Sequence, residues 1–410
     1  MTQVRDALNP RAVAALGVAG VLILALGGRS GVAALSPIAD EVELDLPLDG
    51  IWLALLGAIP PIAYAVAAWL TPRVVRRYNL EVVAIGVAVV TGLAHIGRGY
   101  APAYWGLFLG TVILMLGVGV LNVILPGLVK LYAPERIGLM TSLYSTMMAI
   151  STAVPPAVGL LLASEFGWRL SLASWGLISL LAIAPYVVLL PIALTRTAAE
   201  KQASLALPST TQANVGRSAT ARAIMLAFAV SGFTAYTVFG VLPAILIDYV
   251  GVTAELAAIA LTVFSIMGMP MSLIIPNLAV RTGWSGRLIV FAAVSGATGF
   301  LGIALLPGVW TMVWTVLIAL NTLTFSMSLA LIGARTATHH MATELSGYVN
   351  TVGYLIAAAG PIVVGAVHEL TDSWFIPLLV LALFATVLLP AGAVLAREST
   401  IEEELEASDR

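Results

Sequence analysis

Cysteine is absent from the 410 residues, which excludes disulfide staples, thiol nucleophiles and thiolate metal sites. Charge is nearly as scarce. Only 10% of residues are Asp, Glu, Lys or Arg, against roughly 25% in soluble globular proteins, and so few cannot cover a water-exposed surface. Histidine supplies just His95, His339, His340 and His368, too dispersed for a metal cluster. The His339–His340 pair is expected in a solvated loop. There is no Gly-rich loop followed by Lys and Ser or Thr, and no Ser–His–Asp arrangement. ATP-driven pumping and hydrolytic catalysis therefore have no site here. The expectation is a protein that is not an enzyme, with no cofactor, no metal and no nucleic-acid partner.

What the chain has in abundance is apolar sequence, at 60% hydrophobic. Its apolar runs are about 20 residues long, the length of a bilayer-spanning helix. An outer-membrane barrel would instead show alternating segments of ~10 residues. The reading is an all-α integral membrane protein with twelve transmembrane helices. Their approximate limits are 12–36, 50–70, 80–99, 103–128, 138–163, 170–194, 222–247, 256–276, 288–306, 309–333, 345–367 and 374–396. The first run has no small-residue cleavage site and reads as a retained span. Most connections are short. The exception, 195–221, is rich in Ser, Thr, Ala and Gln and reads as a flexible linker. It divides an N-terminal half, 1–194, from a C-terminal half, 222–396, which a tail, 397–410, follows.

Orientation follows from Lys and Arg, which accumulate in cytoplasmic loops. With the N-terminus inside, the cytoplasmic segments hold sixteen: Arg5, Arg11, Arg73, Arg76, Arg77, Lys130, Arg136, Arg196, Lys201, Arg217, Arg222, Arg281, Arg287, Arg335, Arg397 and Arg410. Only Arg98 and Arg169 fall outside. Both termini are expected in the cytoplasm and the chain in the cell membrane, the inner membrane of a bacterium. The acidic tail "IEEELEASDR" is expected to be solvated.

The two halves repeat at an offset of about 205. Pro72 matches Pro276 and Arg77 matches Arg281 at 204, Thr141 matches Ser346 and Pro156 matches Pro361 at 205, and Pro37 matches Pro243 at 206. Two six-helix pseudo-repeats with a substrate site between them near the midplane is a transporter architecture. Pro60–Pro61, Pro126, Pro155–Pro156, Pro270 and Pro361 are expected to interrupt their spans, as membrane helices tolerate when neighbours re-satisfy the backbone.

The nineteenth basic residue, Arg29, sits inside the first apolar run among Gly27, Gly28, Ser30 and Gly31. Ionisable residues in spans are costly and mark function by default. Every other charge is placed at a span end on this reading, Glu81 and Arg98 included, so Arg29 needs a counter-charge from outside the protein. Guanidinium presents a planar fork to oxyanions, and the small neighbours leave room for a compact ligand. The alternative is a structural tie to backbone carbonyls. The larger polar residues within spans complete the candidate substrate-binding set: Ser30, Asn122, Tyr144, Tyr236, Asn350 and Tyr354 beside Arg29. Asn321 reads as packing. With no mid-span acid expected, either a proton moves with the substrate's own charge, or the carrier is a facilitator or exchanger.

Over its whole length the chain resembles the major facilitator superfamily. Within that superfamily it is similar to the cyanate and nitroimidazole transporter family in "GVGVLNVILPGLVKLYAPERIGLMTSLYSTMM", "GWRLSLASW" and "ELSGYVNTVGYLIAAAGPIVVGAVHELTDSW". Asn122, Leu125, Pro126 and Lys130 followed by Gly138-Leu-Met-Thr carry the more specific match, and Arg29 matches the family's tendency to an Arg in span 1. The superfamily's Asp-Arg loop after span 2 is altered, with Val75 and Tyr78 where Asp and Gly are expected, and Asn350 stands where relatives often have Gln. The resemblance implies a monomeric carrier of a small anion or compact polar solute working by alternating access. A multidrug, antibiotic or nitroimidazole exporter of the same fold is the alternative.

Overall fold

The computed structural model describes residues 9–35, 38–46, 50–204 and 215–408. These residues are overwhelmingly helical, and no strand occurs among them. Arg5, Pro37, Arg410 and linker residues 205–214 lie outside the described residues. The first apolar run gives α1 (Pro10–Gly27) and α2 (Ser30–Ala33), and the short α3 (Ala39–Glu43) follows it. Next come α4 (Gly50–Arg77), α5 (Leu80–Gly99), α6 (Tyr104–Tyr132), α7 (Ile137–Phe166), α8 (Trp168–Leu181) and α9 (Ile183–Ser204). Beyond the linker are α10 (Ala219–Ala244), a π turn (Ile245–Tyr249), α11 (Ala254–Thr282), α12 (Ser285–Leu305), α13 (Thr311–Asn321) and α14 (Leu323–Ala334). The chain ends with α15 (His339–Thr371), α16 (Phe375–Thr386), α17 (Leu389–Leu395) and α18 (Ile401–Ser408).

Eleven helical segments among the described residues are long and apolar enough to cross a bilayer, and α4 adds a further helix of 28 residues. Each expected span thus coincides with a long helix or a broken pair. Helix starts carry the residues that satisfy free N–H groups. Asn9 accepts from the Arg11 N–H ahead of Pro10, Ser218 accepts from Ala221, and Thr253 accepts from Leu256. Gly283, at φ 63°, closes α11 in the left-handed region, where a Cβ would be strained.

The chain forms two compact units, Met1–Gln212 with Thr338–Gly347, and Ala213–Ala337 with Tyr348–Arg410. Inside the first, α5 packs on α6 and α8, α4 on α6, and α1 on α6 and α9. Inside the second, the equivalent helices repeat those pairings: α12 on α13 and α16, α11 on α13 and α14, and α10 on α14 and α17. The repeat seen as matched Pro and Arg positions is therefore also a repeat of helix partners. The second unit's core gathers Phe233, Phe264, Phe300, Trp374 and Leu381. In the first, glycines of α1 admit rings from other helices, Gly17 beneath Tyr132 and Gly20 beneath Tyr186.

Three expectations are corrected. The prolines do not break their spans: α4 runs through Pro60–Pro61, α6 through Pro126, α7 through Pro155–Pro156, α11 through Pro270 and α15 through Pro361. A missing N–H is tolerated in a packed membrane helix. The breaks lie instead at Gly28–Arg29, Ala182, Thr322 and Val387–Leu388. His339 and His340 do not sit in a loop but open α15. The acidic tail is not free: it forms α18, with Ile401 fully buried and its N–H bonded to the Arg335 carbonyl at 2.9 Å.

Candidate functional site

The first span stops being helical at Arg29. Its backbone adopts φ −122°, ψ −5° between α1 and α2, so the ladder loses its regular bonds there. Side chains make up the loss. The Arg29 N–H donates to Ser151 Oγ on α7 at 3.0 Å, and the Ser30 hydroxyl donates to the freed Gly27 carbonyl at 3.1 Å. Glycines let neighbours close in: a Cβ on Gly28 would stand 3.1 Å from Leu121 of α6, and one on Gly27 would stand 3.0 Å from Ser179 Oγ of α8. Arg29 itself is half-buried. An unwound stretch of a span, its backbone satisfied by Ser and its side chain a guanidinium, is the kind of discontinuity that holds solutes in carriers.

Arg29 is not the only charge buried in the spans, and this corrects the reading above. Arg98, assigned from sequence to an outer segment, lies in the last turn of α5 at 0% exposure. Its Nη1 donates to the Gly31 carbonyl at 2.9 Å. Nε and Nη2 are buried with no hydrogen-bond partner. One turn earlier on the same face, His95 is also fully buried, and its Nε2 lies 3.4 Å from Ser30 Oγ. Glu81, placed at a span end, is fully buried as well and accepts from the Tyr132 hydroxyl at 2.5 Å. Glu81 and Arg98 stand seventeen positions apart on α5, about 25 Å along a helix, so the acid does not neutralise the arginine. The available signal was the i, i+3 pairing of His95 and Arg98 in "AHIGRG".

The remaining expected residues divide between the units. In the first, Tyr144 is buried on α7, seven residues before Ser151 and hence on the same side of that helix. Its hydroxyl lies beside Thr141. Asn122 is buried on α6, next to the Leu121 that packs on the break, and its carbonyl receives the Ser346 hydroxyl at 3.5 Å. Arg29, Ser30, Asn122 and Tyr144 thus come from the break and the two helices packed on it. In the second unit, Asn350 and Tyr354 are buried one turn apart on α15, and Tyr354 meets Phe228 of α10 edge-on at 5.1 Å. Tyr236 is half-buried on α10. Asn321 is satisfied within its bundle, donating to the Ala292 carbonyl at 3.1 Å and accepting from Thr234 at 3.0 Å. It is a packing residue, as expected. Among the described residues there is no His, Asp and Glu group able to hold a metal.

Comparison with known proteins agrees with this architecture. The Major Facilitator Superfamily model matches residues 18–361. The "Uncharacterized transporter YycB" of Bacillus subtilis (strain 168) is 28% identical over 391 residues, 94% of each chain. The "2-nitroimidazole transporter" of Escherichia coli (strain K12) is 28% identical over 386 residues, 94% of this chain and 96% of that one. Among solved structures, the proton:xylose symporter XylE bound to 6-bromo-6-deoxy-D-glucose superposes with TM-score 0.71 at 14% identity, covering 98% of this chain and all of that one. A bacterial homologue of the iron transporter ferroportin, in an outward-facing state, follows at TM-score 0.67 and 16% identity, covering 92% and 98%. At such identities the structural likeness speaks for the fold alone. A family match across most of the chain, a twelve-helix architecture and broken helices converge, and this multi-pass membrane protein belongs to the Major Facilitator Superfamily of transporters.

Proposed function

We propose that the chain is a secondary carrier of a small anion or compact polar solute, working by alternating access, with Arg29 binding the anionic group. Cyanate-like, nitrate- or nitrite-like ions and small carboxylates are the substrate class. The observation that carries this reading is the helix break at Gly28–Arg29, where a half-buried arginine stands in an unwound segment of a span. Ser30, Asn122, Tyr144, Tyr236, Asn350 and Tyr354 are proposed as the polar groups that orient the solute. The domain reading accompanies it: a half over 1–194, a cytoplasmic linker over 195–221, a half over 222–396 and a cytoplasmic tail. Both termini are placed in the cytoplasm of a monomer in the cell membrane.

The test is uptake of nitrate, formate and cyanate into proteoliposomes. Arg29→Ala removes the charged donors and is expected to cost about 3 kcal/mol of solute binding, roughly 100-fold in transport at low solute. The variant should still elute as a folded species in detergent. Transport at the wild-type rate in that variant would defeat the anion clamp. A second reading, a nitroimidazole exporter, is favoured by the 2-nitroimidazole transporter relative. A nitro group also offers two oxygens to a guanidinium fork. A thermal-shift series with nitroimidazoles beside the anions separates the two.

A further inference from the structure

The break at Arg29 is tied on its far side to a pair of basic residues that the reading above does not use. Ser30 has one hydroxyl proton, which goes to the Gly27 carbonyl. With that proton on Gly27, the contact with His95 Nε2 at 3.4 Å is made with the imidazole as donor. Nδ1 is then the basic nitrogen of the neutral ring, fully buried, and the Leu172 carbonyl of α8 faces the ring. A proton taken up by His95 would thus have an acceptor close by. Arg98 stands three residues further along the same helix, one turn away on the same face. From the other packed elements the ring meets groups that do not titrate in this range, the Ser30 hydroxyl on α2 and the Leu172 carbonyl on α8, while Gly176 of α8 packs by the His95 Cβ. On α6 it is Gly110, packed against Arg98, that faces this end of α5. Glu81, Tyr132 and Tyr186 form a separate group toward the opposite end of α5.

Arg98 has the complementary deficiency. Its guanidinium is fully buried and spends Nη1 on the Gly31 carbonyl, leaving Nε and Nη2 enclosed without partners. Such donors are costly in the protein interior unless an acceptor reaches them. Two adjacent N–H groups on one edge of a guanidinium match the two oxygens of a monovalent oxyanion.

We propose that Arg98 and His95 form a buried proton-coupled anion subsite. The Arg98 Nε–H and Nη2–H bind the oxyanion, and His95 Nδ1 takes a proton from the aqueous phase through which the anion enters. Each event alone changes the net charge of a desolvated site. A proton alone puts two positive charges one helical turn apart, and an anion alone removes the one that is there. Together they leave the net charge as it was, so proton and anion favour each other and travel as an electroneutral load, both released to the opposite phase. Ser30 and Gly31 follow Arg29 directly, so occupancy at the pair is transmitted to the break that carries Arg29. This inference rests on the reading of the solute as an anion and adds its coupling ion.

The experiment titrates purified protein in weakly buffered detergent with sodium nitrate and with sodium formate, following pH by an indicator dye. Wild type should take up about one proton per anion bound, with affinity falling about tenfold per pH unit on the alkaline side, as linkage requires. His95→Gln should bind the anion with no proton uptake and no pH dependence, and should lose accumulation driven by a pH gradient. Arg98→Gln should lose anion binding. Should that variant fail to fold, His95→Gln decides the matter alone. Proton uptake that survives in His95→Gln overturns the proposal. If wild type binds nitrate or formate without proton uptake while Arg29→Ala abolishes transport, the subsite fails and the anion clamp stands. If wild type binds neither anion, the subsite falls, and cyanate uptake in wild type and Arg29→Ala decides the anion clamp.

Discussion

Arg29 and Arg98 show how differently two arginines in apolar sequence can be employed. Arg98 is enclosed and tied to a carbonyl, whereas Arg29 is half-buried at an unwound turn. If the planar fork at Arg29 matters, Lys is no substitute, because an ammonium is a point charge on a flexible stem. Arg29→Lys should lose at least one charge-assisted hydrogen bond, about 1.5–3 kcal/mol or roughly 10- to 100-fold in solute affinity. Wild-type affinity in that variant, measured by solute titration, would mean that charge alone suffices. Gly110 is the residue that lets α6 approach Arg98: a Cβ there would stand 2.7 Å from the Arg98 Cβ and 3.2 Å from its Cα. Gly110→Ala must push the helices apart, and overpacking of this kind costs about 1–3 kcal/mol. A fall in melting temperature is expected, with anion-dependent proton uptake disturbed along with it.

At the scale of elements, the clearest device is the clasp made by α18. Burial works to raise the Glu404 carboxyl, yet hydrogen bonds from Ser218, Thr220 and Ser399 outweigh it and hold the group down at about 2. One oxygen accepts from the Ser218 hydroxyl at 2.6 Å and the Thr220 N–H at 3.1 Å. The other accepts from the hydroxyls of Thr220 at 2.5 Å and Ser399 at 2.7 Å. The carboxylate therefore caps the first turn of α10, where the helix dipole favours negative charge. A depressed folded-state pKa contributes stability that is present above the ordinary carboxylate value and is lost as pH falls from there toward about 2. Glu404→Gln should lower the melting temperature at neutral pH by the equivalent of about 1–2 kcal/mol after allowance for partial exposure. It should also flatten the decline of stability on acidification. A melting curve unchanged between pH 7 and pH 3 in wild type would contradict the clasp. The tail's composition suggested a solvated end because no periodicity in eight residues reveals that Ile401 and Glu404 have partners in the packed second unit.

At the scale of the molecule, the charge asymmetry makes the proposed orientation open to a direct test. The chain has no cysteine, so single introduced thiols report without background. Ala103, exposed in the turn before α6, is proposed to face outward, and Glu406, exposed on α18, to face the cytoplasm. Ala103→Cys should react with a membrane-impermeant maleimide in intact cells, and Glu406→Cys only after permeabilisation. The reverse pattern would invert the topology read from Lys and Arg.

Composition, run length and the repeat at about 205 residues were enough for the helical membrane class, the number of long helices and the paired halves, because the bilayer forces each backbone group to be satisfied within its own span. Arg29 was legible because it interrupts a long apolar run. Arg98, Glu81 and the α18 clasp were not. Whether a charge near a span end is solvated or enclosed depends on which side chains of distant helices close around it. Those contacts, Arg98 with Gly31, Glu81 with Tyr132 and Glu404 with Thr220, join residues 51 to 184 positions apart. Where spans bend was likewise decided by packing. Prolines held among neighbours stayed helical, while Gly28–Arg29 opened because Ser151 and Ser30 could satisfy the backbone it exposed.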